Sequence, residues 1–262
     1  MLVDTHCHLA AGEFVDDREA VLATARAAGV STIVVPAVDV ASFADVHACC
    51  LRYPGCAPAY GIHPLFVRHA GEGDLATLRE WLARASGGPG RPVAVGEIGL
   101  DFFVAEPDVK RQEYFFVEQL KIARDADLPV LLHVRRAVDR VLANLRRIRV
   151  RGGIAHAFNG SPQQADALIR LGFKLGFGGA LTHPGSTRIR RLAALLPLAS
   201  IVLETDAPDM SPAWLAGGRN TPSQLPLINE VLARLRGIDA AESAVATAMN
   251  AMAVLPELRS TD

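Results

Sequence analysis

Residues 129–134, Pro129-Val130-Leu131-Leu132-His133-Val134, and residues 152–156, Gly152-Gly153-Ile154-Ala155-His156, are two short apolar runs, each with a histidine at or near its end. Runs of this length, opened by Pro or Gly, read as buried strands. The segment between them, Arg135 to Arg151, carries seven arginines, Arg135, Arg136, Arg140, Arg146, Arg147, Arg149 and Arg151, against a single acid, Asp139. A solvated helix face accounts for most of such a charge run. The order is therefore strand, helix, strand, the unit of a parallel sheet.

The same unit repeats in both directions. Further strands are expected at Leu2–His6, Ser31–Pro36, Ala57–His63, Val93–Glu97, Lys174–Gly178 and Ile201–Thr205. Between strands, Asp17–Ala28, Ala41–Tyr53, Asp74–Ala85, Asp108–Ala126 and Pro162–Leu171 place apolar residues at helical three and four spacing. Gln224–Arg236 and Ala240–Val254 read as closing helices after the eighth strand. The alternation runs from end to end without a linker. It predicts the α/β class and a closed (β/α)8 barrel of TIM type, as one domain over 1–262, in preference to an open doubly wound sheet. The length of 262 residues suits that barrel, which typically takes about 250.

Composition narrows the class. Half of the residues are apolar and 21% are charged, the balance of a globular protein. No apolar run reaches the roughly 18 residues of a membrane span. Met1-Leu2-Val3-Asp4 offers no basic n-region or apolar core, so a signal peptide is not expected and a cytoplasmic location is. Cys7, Cys49, Cys50 and Cys56 lack paired CxxC spacing and read as buried thiols rather than a zinc ribbon. A formal net charge of −1 gives no global attraction to nucleic acid, which leaves any such binding to a local patch.

Five of the eight histidines fall at strand ends: His6 and His8 at the first, His63 at the third, His133 at the fifth and His156 at the sixth. Glu97 ends the fourth strand and Asp206 follows the eighth. In a parallel barrel these ends converge on one rim, where active sites of this fold are built. Within Asp4-Thr5-His6-Cys7-His8, alternation sends Asp4, His6 and His8 to one face, so two imidazoles can ligate one ion. Gly96-Glu97-Ile98-Gly99-Leu100-Asp101 supplies Glu97 where many metal barrels use a carboxylated lysine; none of Lys110, Lys121 and Lys174 ends a suitable strand. Glu97 is then the expected bridge between two ions, with His133 and His156 on the second and Asp206 on the first, where it could also take a proton from the attacking water. Asp101 reads equally as an acceptor behind a ligand or as a loop cap, and Glu204 as a partner orienting a histidine or as a plain buried acid.

These stretches resemble the TatD-type metal-dependent hydrolases, a deoxyribonuclease family among the amidohydrolase-like barrels. The likeness is carried by DTHCH at 4–8, GIHP at 61–64, GEIGLD at 96–101, LHVR at 132–135, HAFNGS at 156–161, ETDAPD at 204–209 and Arg219-Asn220-Thr221-Pro222. It implies two divalent ions per chain (Zn, Mn, Mg, Fe or Ni), one held by His6, His8, Glu97 and Asp206 and the other by Glu97, His133 and His156. Asp206 and Glu97 would be catalytic, and His63 and Arg135 would contact the substrate phosphate. The implied activity is hydrolysis of DNA phosphodiester bonds by a metal-activated water; an amide, ester or lactone hydrolase on the same two-metal site is the alternative. Ala180, where members often carry a hydroxyl, and the ending Met249-Asn250-Ala251-Met252 depart from the family pattern and bear on substrate contacts rather than on the metal ligands.

Overall fold

The computed structural model describes residues 1–84 and 90–260. Its elements follow in the order β1 (Leu2–Asp4), α1 (Arg18–Ala27), β2 (Val30–Pro36), α2 (Phe43–Arg52), β3 (Cys56–Tyr60), α3 (Glu72–Arg84), β4 (Ala94–Asp101) and α4 (Val109–Asp125). The second half continues with β5 (Val130–Arg135), α5 (Val138–Arg147), β6 (Gly153–Ala155), α6 (Pro162–Arg170), β7 (Phe173–Phe177), α7 (Thr187–Leu195), β8 (Ile201–Leu203), α8 (Leu225–Arg236) and α9 (Ala240–Val254).

The eight strands pair in parallel and in chain order. Just past the regular ends of β8 and β1, Thr5 N–H donates to Leu203 O (3.0 Å), Asp206 N–H to His6 O (2.8 Å) and His8 N–H to Ala207 O (2.8 Å), which brings the circle together as a (β/α)8 barrel. The last residue of the helix expected at Asp74–Ala85, and residues 85–89 and 261–262 of the expected 1–262 domain, lie outside the described residues.

Local chemistry explains the elements. Ser161, Pro162 and Gln164 open α6 with a capping box: Ser161 Oγ accepts from Gln164 N (3.1 Å) and the Gln164 side chain accepts from Ser161 N (2.9 Å). On α5 the apolar Val138, Val141, Leu142 and Leu145 are buried while Arg140, Arg146 and Arg147 are exposed, as an amphipathic arginine-rich segment requires. Inside the barrel Val3, Val34, Ala59, Ala94, Leu131, Ile154 and Val202 pack together with Ala251 and Leu255 of the α9 region. Asn250 fastens α9 to the start of β8 by donating to Leu198 O and Ile201 O, each at 2.8 Å. One end of the barrel is thus plugged by α9, and the opposite rim is left for chemistry. All four cysteines are buried free thiols, and no helix among the described residues is long and apolar enough to cross a membrane.

Several strand boundaries differ from the sequence expectation in ways that shape the rim. The fourth strand does not end at Glu97: β4 runs on to Asp101, with a break in its register against β5 between Val95 and Ile98. A local irregularity of this kind re-aims one side chain without ending the strand, and hydrophobic alternation does not reveal it. His133 accordingly sits inside β5 rather than at its end, opposite Gly99. On β1, β3 and β8 the expected ends are too long, since these strands stop at Asp4, Tyr60 and Leu203, while β2 ends at Pro36 as expected. His6, His63 and Asp206 stand on the first residues of loops.

Gly99 is what allows β4 and β5 to approach at that level. Its φ is +151°, and a Cβ there would lie 1.9 Å from His133 O. Gly99→Ala should therefore cost about 2 kcal/mol or more in urea unfolding, whereas Gly73→Ala, with open space in α3, should be neutral or gain up to about 1 kcal/mol. Equal effects of the two substitutions would contradict this account of the strand contact.

Candidate metal centre

Parallel pairing brings the carboxyl-terminal strand ends to one rim, and the side chains there converge on Glu97, which is only 2% exposed. Its two oxygens face different sets of nitrogens. Oε2 lies 3.1 Å from His6 Nε2 and 3.6 Å from His8 Nε2. Asp206 Oδ1 joins that side at 3.6 Å from His6 Nε2 and 3.5 Å from His8 Nε2, and the two imidazole nitrogens are 3.3 Å apart. Oε1 lies 2.9 Å from His133 Nδ1 and 2.9 Å from His156 Nε2, and those two nitrogens are 3.4 Å apart.

These separations fit a cation at the centre of each set. Metal to nitrogen bonds of roughly 2.0–2.1 Å in a tetrahedral arrangement put neighbouring ligand atoms about 3.4 Å apart. Mixed imidazole and carboxylate donors suit borderline divalent ions. The rings are also turned correctly. His133 directs Nε2 at Asp101 Oδ2 (2.9 Å), leaving Nδ1 for Glu97 and a ligand role. His156 turns Nδ1 toward Glu204 Oε1 (3.7 Å), leaving Nε2 for the site. A carboxylate hydrogen-bonded behind an imidazole, as Asp101 is behind His133, fixes its tautomer and raises its basicity, whereas Glu204 faces His156 Nδ1 beyond hydrogen-bond distance. Asp101 serves both expected roles, since Oδ1 also accepts from Phe103 N (2.9 Å) and so caps the loop. Glu204 likewise accepts from Ala157 N as it faces His156.

His63 is placed with this cluster, its Nε2 3.4 Å from Glu97 Oε1. Its Nδ1 accepts from Leu65 N at 3.1 Å, so in the neutral ring the proton is on Nε2. That nitrogen points into the site as a donor. Arg135 is not brought to the donor cluster. It is exposed, with its guanidinium carbon 3.7 Å from the centre of the Phe103 ring.

Charge in the cluster is mutually supported. Burial alone would push the Glu97 carboxyl up, but the imidazoles of His156, His63, His6 and His133 outweigh it and hold the carboxyl well below its usual value. Asp206 follows the same balance: burial raises it, His8, His156 and His6 lower it, and the net shift is downward. Both acids are ionised at neutral pH.

A brace behind the site was not anticipated. Asp4, expected on the face of His6 and His8, instead accepts from Thr205 Oγ1 (2.6 Å), Thr205 N (2.9 Å) and His6 N (3.3 Å). It ties the end of β1 that leads to His6 and His8 to the loop that carries Asp206. Asn220 holds the other side of that loop through Thr205 O (2.8 Å) and Asp209 O (2.9 Å), which gives the Arg219-Asn220 segment a structural role. Above the centre opens a cavity of about 1720 Å³ whose walls include His63, Phe66, Phe103, Arg135, Arg136 and Asp206.

Comparison with known proteins follows the same lines. The family model described as TatD related DNase matches residues 3–256. An Escherichia coli (strain K12) protein named uncharacterized metal-dependent hydrolase YjjV is 43% identical over 249 residues, 95% of each chain. The protein of Cronobacter sakazakii named 3'-5' ssDNA/RNA exonuclease TatD is 34% identical over 257 residues, 95% of this chain and 96% of that one. The crystal structure of YjjV from Escherichia coli superposes with a TM-score of 0.93 at 41% identity, covering 97% of this chain and 98% of that one. With the barrel, the rim and the matched motifs in agreement over nearly the whole length, the chain belongs to the TatD-related DNase family.

Proposed function

We propose that the protein hydrolyses phosphodiester bonds at single-stranded ends of DNA, using two divalent ions held on either side of Glu97. The observation that carries this reading is the division of the Glu97 oxygens, Oε2 toward His6 and His8 and Oε1 toward His133 and His156. His6, His8, Glu97 and Asp206 would hold one ion, and Glu97, His133 and His156 the other. The donor set accepts Zn, Mn, Fe or Ni, and Mg suits phosphoryl chemistry. When bound, such ions acidify water and neutralise charge that builds on a phosphate. A relative carrying the name 3'-5' ssDNA/RNA exonuclease supports the choice of a nucleic acid over other esters.

The chain's own groups divide the remaining tasks. Asp206, ionised at the edge of the cluster and 13% exposed, accepts the proton of the attacking water and can return it to the leaving oxygen. His63 Nε2–H donates toward a non-bridging phosphate oxygen, where a donor aimed at developing charge contributes most. Arg135, exposed at the wall of the cavity, attracts the phosphates of the incoming strand. The centre lies at the bottom of a cavity, so a flexible strand terminus reaches it more easily than the middle of a duplex.

Elemental analysis after reconstitution should approach two ions per chain, and Glu97→Ala should lose most of both, because both donor sets include its carboxylate. Unchanged metal content in Glu97→Ala would remove the bridge from the account. Asp206→Asn should remain folded by circular dichroism while kcat falls by about 10² to 10⁴, the usual result of removing a general base; near wild-type kcat would exclude that role. Incubation of metal-loaded protein with 3'-labelled single-stranded DNA, a blunt duplex and a panel of esters, amides and lactones tests the substrate class. Single-stranded DNA should be degraded fastest. Indifference to both DNAs, together with robust hydrolysis of a small ester, amide or lactone, would shift the function to that class.

A further inference from the structure

We propose that Arg135 and Arg136, held together on the ring of Phe103, clamp the phosphate next to the one at the metal centre. The inference rests on the nuclease reading above and extends it, naming the residues that would recognise a strand rather than a lone phosphoester.

Phe103 lies two residues beyond β4 and is 46% exposed, so burial does not explain its position. Two guanidinium groups cover it instead, Arg135 Cζ at 3.7 Å and Arg136 Cζ at 4.4 Å from the ring centre. Guanidinium is attracted to an aromatic face by the ring quadrupole. The backbone assembles the trio. Asp101 pairs with Arg135 across the β4–β5 ladder, Phe102 N–H donates to Arg135 O (2.9 Å), and Phe103 N–H donates to Asp101 Oδ1 (2.9 Å).

Consecutive residues of an extended chain point to opposite sides, and two neighbouring arginines would not normally meet one ring. Arg136 has φ +55°, a conformation that a residue with a side chain rarely adopts. That turn ends the alternation and lets both guanidiniums reach Phe103. Three other non-glycine residues with positive φ, Ala157, Asp206 and Met210, line the same cavity. Backbone strain gathered at one mouth points to function there rather than to folding.

The two charges are available to a ligand. Neither Arg135 nor Arg136 forms an ion pair among the described residues, whereas Arg140, one turn further on, is paired with Glu113 at 2.7 Å. The nearby acids are engaged: Asp101 with His133 and Phe103 N, and Asp139 with Gln164 Nε2 at 2.8 Å. Holding the forks on a ring before a phosphate arrives reduces the side-chain entropy lost on capture. The position fits a strand. Arg135 follows His133 by two residues on β5, on the same face and roughly 7 Å further along the strand, at the wall of the cavity above the centre.

The test compares Phe103→Ala and Arg136→Ala with the wild type, and includes Phe103→Tyr as the conservative variant. Steady-state kinetics would be measured on a single-stranded oligonucleotide and on bis(p-nitrophenyl) phosphate, a diester with no neighbouring phosphate. Equilibrium binding of a fluorescein-labelled oligonucleotide to metal-free protein would be followed over a range of salt. In both alanine variants the preference for the oligonucleotide, as the ratio of the two kcat/KM values, should fall about tenfold, mainly through KM. The log–log salt slope should flatten by about 0.7, one single-strand phosphate contact. Phe103→Tyr should keep both properties.

An unchanged preference and slope in the alanine variants would overturn the clamp while leaving nuclease activity standing. So would equal losses on both substrates with an unchanged slope, which assign Phe103 to local folding. Should the wild type cut no oligonucleotide yet bind it with a slope that flattens in the variants, the clamp would stand and the nuclease reading would fall.

Discussion

The site depends on one buried carboxylate whose two oxygens answer to different partners. An ionised Glu97 at 2% exposure would be costly to bury alone, since the interior cannot replace its hydration. His6 and His8 on one oxygen and His63, His133 and His156 on the other supply that replacement. The imidazoles are constrained in return, because each must present a particular nitrogen to Glu97. Asp101 turns the ring of His133 from behind, Glu204 faces the His156 ring at 3.7 Å, and the Leu65 amide sets the tautomer of His63. The same carboxylate that gathers the nitrogens divides them into two cation-sized sets.

The barrel supplies this geometry with simple means. Eight parallel strands deliver their carboxyl ends to one rim, while α9 plugs the other end with small and aliphatic side chains. Fine placement comes from departures from regularity. The register break between Val95 and Ile98 re-aims Glu97 and lets β4 continue to Asp101. Asp4 bonds across the closure to Thr205, so that His6 and His8 from one end of the chain and Asp206 from the other share one coordinate frame. The strained turns at Asp206 and Arg136 belong to the same group of departures.

The barrel and the identities of its rim residues were legible in the sequence because both rest on strong signals. Alternating strand and helix periods define the (β/α)8 order, and histidines such as His133 and His156 stand out at the ends of apolar runs. Less was legible where one residue breaks a period. Alternation cannot reveal that β4 absorbs an irregularity at Glu97, so Asp101 and Glu204 could be read two ways until their distances to His133 and His156 were known. Asp4 was assigned to the ligand face by the same alternation, and the closure between β8 and β1 turned it into a brace. Arg136 stood out only as one of seven arginines in a charge run and Phe103 carried no signal, since their meeting depends on a positive φ that sequence patterning does not encode.

The central claim is that Glu97 divides two cation sites, and anomalous diffraction from crystals soaked in manganese or zinc tests it most directly. Two peaks are expected, roughly 3.5 to 4 Å apart as in other two-metal centres, one on the His6, His8 and Asp206 side of the carboxylate and one on the His133 and His156 side. A single peak, or peaks away from the Glu97 carboxylate at saturating metal, would contradict the account.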